Sequence, residues 1–358
     1  MKDLEFRSEG MGMDAAKAIM DGYFPQNRVN WEKGNSFAFY KATDYDYATA
    51  MRSWITTKFG HNLMSAYCYG GTATLVDRAL WQMGEEFFHC KDENRGGQIM
   101  CSGTIAVQHC LDIALKRFYQ SKGHDYVACG HDTNLRPVVL APYNITFIIE
   151  RVLATCGLGA RAVRYYSDAQ TLKGAVRQIY QNGEEIILHY LVGGDTRTGM
   201  VQPVAERSGF ANSFALDSAF RPLVLIDAAP HGFNLWAQDR SQEIDFSIPW
   251  VDILIVNPQK CQFPLGSSLI FYRDMRILNG NSELTSEARL NLLSHASWMV
   301  AKDASGALSF FGTLLARGTD WFRQAICPTS GGCLSFRTWN NRYGRITIKN
   351  IAPIGTAG

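Results

Sequence analysis

The chain has 358 residues, 46% of them hydrophobic, and a formal net charge of +2, which is enough apolar material for one large domain and a smaller one. Its lysines and arginines are scattered, which argues against a nucleic-acid-binding stripe and a polybasic membrane patch, and no apolar run approaches a membrane span in length. The nine cysteines form no C-x-x-C pair and the N-terminal MKDLEFRSEG is too charged for a signal peptide, so we expect a cytoplasmic protein with reduced thiols and no metal site.

The N-terminal third of the chain is predicted to be mainly helical. Apolar periodicity predicts helices at Met13–Tyr23, Asp44–Phe59, Thr72–Phe87 and Ala106–Tyr119. Small and hydroxyl residues, Ser102-Gly103-Thr104, stand immediately before the last of these. Such residues at a helix start can cradle a phosphate with backbone N–H groups and hydroxyls, although an ordinary helix N-cap has the same composition.

The middle of the chain alternates between strand and helix patterns. Strands are predicted at Val138–Ala141, Ala160–Tyr165 and Glu185–Val192, with helices Tyr143–Cys156 and Asp168–Asn182 between them. This alternation predicts a parallel, doubly wound sheet.

Two further strands carry the residues with the clearest chemistry. Leu223–Ile226 ends in Asp227-Ala228-Ala229, and a carboxylate at the end of a buried strand lies where α/β folds bind ligands. Val251–Val256 ends at Asn257-Pro258, and Lys260 stands between it and the strand Ser268–Tyr272. A lysine in this position either extends its ammonium to solvent or serves as an amine nucleophile. An aspartate that protonates a pyridine nitrogen, together with a downstream lysine that forms a Schiff base, is the pyridoxal phosphate arrangement.

Three motifs make this resemblance specific. Asp227-Ala228-Ala229, Asn257-Pro258-Gln259-Lys260 and Gly266-Ser267-Ser268 resemble motifs of the group II pyridoxal phosphate-dependent decarboxylases, which include glutamate, aromatic amino acid and histidine decarboxylases and the related sphingosine-phosphate lyases. The resemblance implies a fold-type I enzyme with a mainly parallel doubly wound sheet. It also implies a homodimer with shared active sites, in which residues 1–60 form an arm, 61–280 a large cofactor-binding domain and 281–358 a short C-terminal domain.

The resemblance assigns roles to individual residues. Lys260 would form the Schiff base and Asp227 would hold the proton on the ring nitrogen, while Ser102, Gly103 and Thr104 would bind the phosphate. Thr196, in Gly193-Gly194-Asp195-Thr196, would lie near the phenolic oxygen of the cofactor. Further expected cofactor contacts are Ala229, Gln259 and, towards the phosphate of the partner subunit, Ser267 and Ser268. His61 is a candidate for contacting substrate, or a loop residue in solvent. Arg337 is a candidate for gripping a substrate carboxylate, or an edge-strand surface residue.

Several family residues are absent from this sequence. The histidine that stacks on the cofactor ring is missing, and its place falls on Thr146 by counting, or on Asn144 or Tyr143 if the loop shifts. Histidines expected two residues before Asp227 and just before Lys260 are Leu225 and Gln259, and Gln259 can still donate an N–H to a phosphate. His231 is either a local replacement or a loop residue. No tyrosine lies between Tyr272 and Tyr343, where the family often has one that acts as a proton donor.

The resemblance leads to one main hypothesis and two alternatives. The main one is removal of the α-carboxylate of an amino acid, whether free or tethered to a larger molecule, by a pyridoxal phosphate-dependent lyase. The first alternative is carbon–carbon cleavage of a phospho-amino alcohol, and the second is a non-catalytic binding or scaffold protein that retains the fold. Nucleic acid is not expected as a partner except as the carrier of a tethered substrate.

Overall fold

The computed structural model describes residues 45–59, 62–63, 66–143, 148–194, 201–215, 220–229, 231–261, 263–264, 266–281 and 302–326. The chain divides into two compact units, Met1–Phe37 and Ala38–Gly358, and every described residue lies in the second. The helix predicted at Met13–Tyr23 lies outside the described residues. The domain boundaries predicted at residues 60 and 280 stay predictions.

The described core is a seven-stranded sheet with the order β2-β8-β7-β6-β5-β3-β4. Strands β3 to β7 run parallel to one another, whereas β8 is antiparallel to both β7 and β2. The sheet therefore confirms the predicted mainly parallel, doubly wound architecture. The strands are β2 Gly96–Met100, β3 Pro137–Pro142, β4 Val163–Tyr166, β5 Glu185–Val192, β6 Leu223–Asp227, β7 Ile253–Val256 and β8 Ser268–Tyr272.

Helices cover both faces of this sheet, which is why its strands are continuous apolar runs. One hydrophobic cluster joins α3 and α5 to one face, and a second joins α2, α6, α8, α9 and α10 to the other. The helices are α1 Tyr45–Phe59, α2 Ala66–Phe88, α3 Gly103–Ser121, α4 Tyr126–Cys129, α5 Ile148–Thr155, α6 Ala169–Gln181, α7 Val204–Ala215, α8 Gly232–Ala237, α9 Ser305–Arg317 and α10 Thr319–Ile326. No helix of the described ranges is long and apolar enough to cross a membrane.

Differences from the predicted elements have local causes. The sequence pattern does not predict β2, because its two leading glycines are poor strand formers. The predicted strand Ala160–Tyr165 begins with a 3₁₀ turn, Ala160–Ala162, before β4. The helix predicted from Tyr143 is described only from Ile148, because residues 144–147 are outside the described part.

Two short strands, β1 Asn62–Leu63 and β9 Lys302–Asp303, form a separate antiparallel sheet. One precedes the strands of the main sheet in the sequence and the other follows them, so this pair joins distant parts of the chain. Arg52 of α1 reinforces this connection by donating to Asp303 at 2.9 Å and to Ser305, the first residue of α9, at 2.9 Å.

Candidate active site

A cavity of about 180 Å³ opens where the parallel strands β5 and β6 end and β7 gives way to a turn. This is the edge at which open α/β sheets bind ligands. Its lining combines the helix start Ser102-Gly103-Thr104, Ile148 of α5, Val192 and Gly194 after β5, Asp227 and Ala229, and Asn257, Gln259 and Lys260 after β7. Residues that are more than a hundred positions apart in the sequence thus meet at one site.

Asp227 is the last residue of β6, and its carboxylate is held in a fixed position. Oδ2 accepts a hydrogen bond of 2.7 Å from the Tyr190 hydroxyl, and Oδ1 accepts one of 3.1 Å from the backbone N–H of Ala229. Burial raises the pKa of the Asp227 carboxyl, while these two hydrogen bonds and the charge of Lys260 act in the opposite direction. The carboxylate therefore needs a cationic partner more strongly than an exposed aspartate would.

Lys260 lies in the 3₁₀ turn Pro258–Cys261 that follows β7. Its backbone N–H donates to the carbonyl of Asn257 at 2.8 Å, so the turn itself fixes the position of the residue. The side chain is half-buried, lines the cavity and is close enough to Asp227 to affect its ionisation. The amine and the carboxylate therefore face one shared cavity.

The start of α3 gives the cavity a part that favours an anion, in contrast to the Asp227 carboxylate. Ser102 is the N-cap in extended conformation, and its hydroxyl accepts from the N–H of Ile105 at 3.3 Å. The other N–H groups of the first turn have no partner within the helix, and the dipole of a 19-residue helix favours an anion at this end. A Cβ on Gly103 would lie 2.6 Å from Nδ2 of Asn257, so the absence of a side chain lets the two segments approach.

Asn257 belongs to the Asn257-Pro258-Gln259-Lys260 motif, but it is not among the cofactor contacts predicted from the sequence. It is buried, its Nδ2 faces Gly103, and its Oδ1 accepts from Ser268 at 2.6 Å. Its place at the end of a buried parallel strand, three residues before Lys260, was the signal available in the sequence. Ile148, Val192 and Gly194 were also missed as lining residues, since apolar and glycine positions carry no distinguishing chemistry.

Gln259 and His231 are the two polar groups whose roles the sequence left open. Gln259 lines the cavity, and its buried Oε1 has no hydrogen-bond partner among the described residues. His231 is buried at the start of α8, with its ring so close to Gly194 that a Cβ there would lie 2.4 Å from it. His231 thus packs against Gly194 of the cavity lining, whereas Gln259 is itself a lining residue.

The remaining predicted contacts are more dispersed. Ser267 and Ser268 are buried, with hydroxyls that donate to the carbonyl of Pro264 and to Asn257. Tyr143 is 70% exposed and meets Tyr165 edge to face, apart from the lining residues. The structure thus brings together Ser102, Gly103, Thr104, Asp227, Ala229, Gln259 and Lys260. The other predicted residues, His61, Asn144, Thr146, Thr196 and Arg337, lie outside the described part of the chain.

The cavity is suited to a small, flat ligand that carries an anionic group at one end and a protonated nitrogen at the other. Helix N–H groups and hydroxyls at α3 suit an anionic group, the Asp227 carboxylate suits a protonated nitrogen, and Ala229 with Ile148 and Val192 supplies apolar walls. Gln259 and Lys260 line the same cavity and contribute an amide and an amine to it.

Curated relatives match part of the chain. A probable L-tyrosine/L-aspartate decarboxylase of Methanospirillum hungatei is 23% identical over 274 residues, which are 73% of this chain and 64% of that protein. A protein of the same description from Methanocella arvoryzae is 29% identical over 126 residues, 34% of this chain and 32% of its own length. The chain thus spans less than two thirds of the relatives it matches. No family model matches the sequence.

Solved structures share the fold at low sequence identity. Oryza sativa TDC with PLP and tryptamine superposes with a TM-score of 0.73 at 17% identity, covering 89% of this chain and 68% of that one. Catharanthus roseus tryptophan decarboxylase in complex with L-tryptophan gives 0.69 at 16%, covering 90% and 69%. Lactobacillus brevis glutamate decarboxylase gives 0.65 at 14%, covering 90% and 72%. These likenesses show that the chain has the fold-type I architecture.

Proposed function

We propose that this chain, a divergent member of the group II pyridoxal phosphate-dependent decarboxylase family, binds pyridoxal phosphate in the cavity between α3 and Lys260 and removes the α-carboxylate of an amino acid. One observation carries the proposal. The buried Asp227 carboxylate, the Lys260 amine and the start of α3 line one cavity, and these are the groups that a phosphorylated pyridine aldehyde requires.

The residues present fit the cofactor at each of its reactive parts. The first turn of α3, with Ser102 and Thr104, would hold the phosphate through N–H groups and hydroxyls. Asn257 would add its Nδ2 and Gln259 its amide. Asp227 would accept the proton of the ring nitrogen, and this bond offsets the cost of burying the carboxylate. Lys260 would attach the aldehyde covalently.

Bound pyridoxal phosphate supplies an electron sink for the electron pair left when a bond to the α-carbon breaks. The residues around the ring determine how strongly it withdraws electrons. Asp227 keeps the ring nitrogen protonated, and the buried walls around it exclude water, which strengthens the interaction. Lys260, which lines the same cavity, would supply an amine close to the bound substrate.

Decarboxylation is the reaction class favoured by the relatives, both of which are described as probable amino acid decarboxylases. The alternative of carbon–carbon cleavage rests on the Gly266-Ser267-Ser268 turn. The free or tethered state of the amino acid also belongs to the proposal. So do the cytoplasmic location and the homodimer with shared sites, which follow from the family resemblance.

The first experiment asks whether the cofactor binds to Lys260. The purified full-length chain is mixed with pyridoxal phosphate, its near-visible spectrum is recorded, and the complex is reduced with borohydride and mapped by peptide mass. We expect a reduced adduct on Lys260 that is absent in Lys260→Ala and retained in Lys116→Ala. Lys116 is the matched control, because it lies in α3 paired with Asp112 at 3.0 Å and does not line the cavity.

The outcome separates the hypotheses. An adduct on Lys260 followed by CO₂ release from a panel of amino acids supports the proposal, whereas aldehyde release from phospho-amino alcohols supports the lyase alternative. Absence of any band and any adduct at Lys260 would overturn the cofactor assignment and favour a non-catalytic binding protein.

A further inference from the structure

Tyr190 makes a hydrogen bond to Asp227 that the sequence does not predict. This tyrosine lies on β5 and is fully buried, and its hydroxyl donates to Oδ2 of Asp227 on β6 at 2.7 Å. A buried tyrosine hydroxyl needs a partner, and a carboxylate is among the strongest available. The bond fixes the carboxylate plane together with the Ala229 N–H, which holds the other oxygen at 3.1 Å.

The sheet register shows what this tyrosine stands beside. Tyr190 is the direct cross-strand partner of Leu225, the residue two positions before Asp227 on the same strand. Residues two apart on a strand project to the same face, so Leu225 and Asp227 share the face that packs against α3. Tyr190 and Leu225 both belong to the hydrophobic cluster on that face. The Leu225 side chain cannot donate a hydrogen bond to Asp227. Tyr190 on the neighbouring strand β5 donates one.

We propose that Tyr190 is a positioning residue that holds the Asp227 carboxylate in the ionised form and orientation needed to pair with a cationic nitrogen of the ligand. The inference rests on the proposed function and deepens it. It assigns to β5 the hydrogen-bond donor that the apolar Leu225 does not provide on β6.

The groups around Asp227 determine what removal of this bond does. Facing the carboxylate are the Tyr190 hydroxyl from β5, the Lys260 ammonium from the turn after β7, and the Cys110 thiol from α3, whose pKa is raised by burial and by Asp227. The Tyr190 hydroxyl donates to Oδ2 of the carboxylate at 2.7 Å. Without this hydroxyl, desolvation of the carboxylate is opposed only by the Ala229 N–H and the charge of Lys260.

The test compares Tyr190→Phe with Tyr272→Phe in the full-length chain. Tyr272 is an equally buried sheet tyrosine, and its hydroxyl donates to Oε1 of Gln98 at 2.9 Å, so both variants lose one buried hydroxyl. One measurement uses the protein without cofactor, following the titration of the Asp227 carboxyl by carbon NMR with Asp227→Asn to assign the signal. The second measures the pyridoxal phosphate dissociation constant and the pH at which the ring nitrogen of labelled cofactor loses its proton.

We expect Tyr190→Phe to raise the pKa of Asp227, to weaken cofactor binding about tenfold, and to shift deprotonation of the ring nitrogen to lower pH, because a hydrogen bond to a charged group is lost. Tyr272→Phe should leave all three unchanged even if it lowers stability. If the wild-type chain binds no cofactor, the proposed function fails, and the cofactor-free titration alone decides the role of Tyr190. Equal Asp227 titration and equal cofactor profiles in Tyr190→Phe and wild type would overturn the inference.

Discussion

The Ser268 hydroxyl donates a hydrogen bond of 2.6 Å to Oδ1 of Asn257, joining the first residue of β8 to the residue that follows β7. Both side chains are buried, so neither has water as an alternative partner. The bond orients the Asn257 amide so that Nδ2 faces Gly103 at the start of α3. A residue outside the cavity lining thereby fixes one that lines it.

Ser268→Ala should therefore affect both stability and ligand binding. Loss of the hydroxyl leaves Asn257 Oδ1 buried without a donor, which costs about 1–3 kcal/mol in the free energy of unfolding. Because the amide is then free to turn, the affinity for pyridoxal phosphate should also fall. Ser309→Ala is the control, since Ser309 is equally buried but donates to the carbonyl of Ala48, and neither residue lines the cavity.

Chemical denaturation measures the stability of both variants, and cofactor titration measures their affinity for pyridoxal phosphate. The control is expected to lose stability alone. If Ser268→Ala and Ser309→Ala changed cofactor affinity equally, Ser268 would have no particular connection to the site.

Gly194→Ala tests the packing of His231 against the cavity wall. The new Cβ would lie 2.4 Å from the His231 ring, so the ring or the loop must shift, and we expect a loss of stability of about 1–3 kcal/mol together with weaker cofactor binding. Gly174→Ala is the control: it lies within α6 with nothing near its Cβ and should raise stability by about 0.5–1 kcal/mol.

A double-mutant cycle identifies the cause of the Gly194→Ala effect. His231→Ala removes the ring that the new methyl group would strike, so Gly194→Ala should cost much less stability in that background than in wild type. Thermal or urea unfolding of the four proteins gives the coupling. Strictly additive losses would contradict the contact between Gly194 and His231.

The sequence predicted those parts of the fold that follow from hydrophobic pattern. β5 and β8 are predicted with their observed ends, and β6 to within one residue, since each is a mainly apolar run bounded by polar or turn residues. β2 escaped prediction because Gly96 and Gly97 lack strand propensity, although Gly97 has no room for a side chain beside Ile270 and Leu80. Pattern therefore predicts the middle of the sheet better than its edge.

The same division applies to the site. Asp227, Lys260 and the start of α3 were predicted because their chemistry stands out at strand and helix ends. Tyr190 lies within the predicted strand Glu185–Val192, and nothing in the local sequence reveals that its hydroxyl reaches a neighbouring strand. The role of Asn257 likewise depends on its distance to Gly103 and Ser268, which are 154 and 11 positions away in the sequence. Contacts that arise only from sheet register were beyond a single sequence.

His189 should make stability depend on pH. Burial lowers the pKa of the His189 imidazole from its ordinary 6.5 to about 3, and its Nε2 is paired with the Tyr166 hydroxyl at 2.8 Å. The unfolded chain therefore takes up a proton at a higher pH than the folded chain does. The stability from a neutral His189 is complete above pH 6.5 and is lost as the pH falls towards 3.

His189→Gln removes this linkage, so its free energy of unfolding should change less with pH over that window, by up to about 1.4 kcal/mol per pH unit. Tyr166→Phe keeps the imidazole and should keep the slope. Urea titrations across the window measure the difference. An NMR titration of the wild-type ring provides a check without substitution, and protonation of His189 near pH 6.5 would contradict the assignment.

Gln259→Leu should have opposite effects on the empty protein and on ligand binding. The buried Oε1 has no partner among the described residues, so replacing the amide by an apolar side chain should raise the stability of the cofactor-free protein by about 1 kcal/mol. If the amide serves the cofactor, the same change should weaken pyridoxal phosphate binding about tenfold, since one hydrogen bond to a charged group is lost. Gln98→Leu is the contrasting control: Gln98 Oε1 already pairs with Tyr272 and His109, so its loss should lower stability. Denaturation without cofactor and cofactor titration are measured on both variants. A Gln259→Leu protein that is less stable than wild type when empty, and that binds the cofactor equally well, would show that the amide supports the turn around Lys260 and not the ligand.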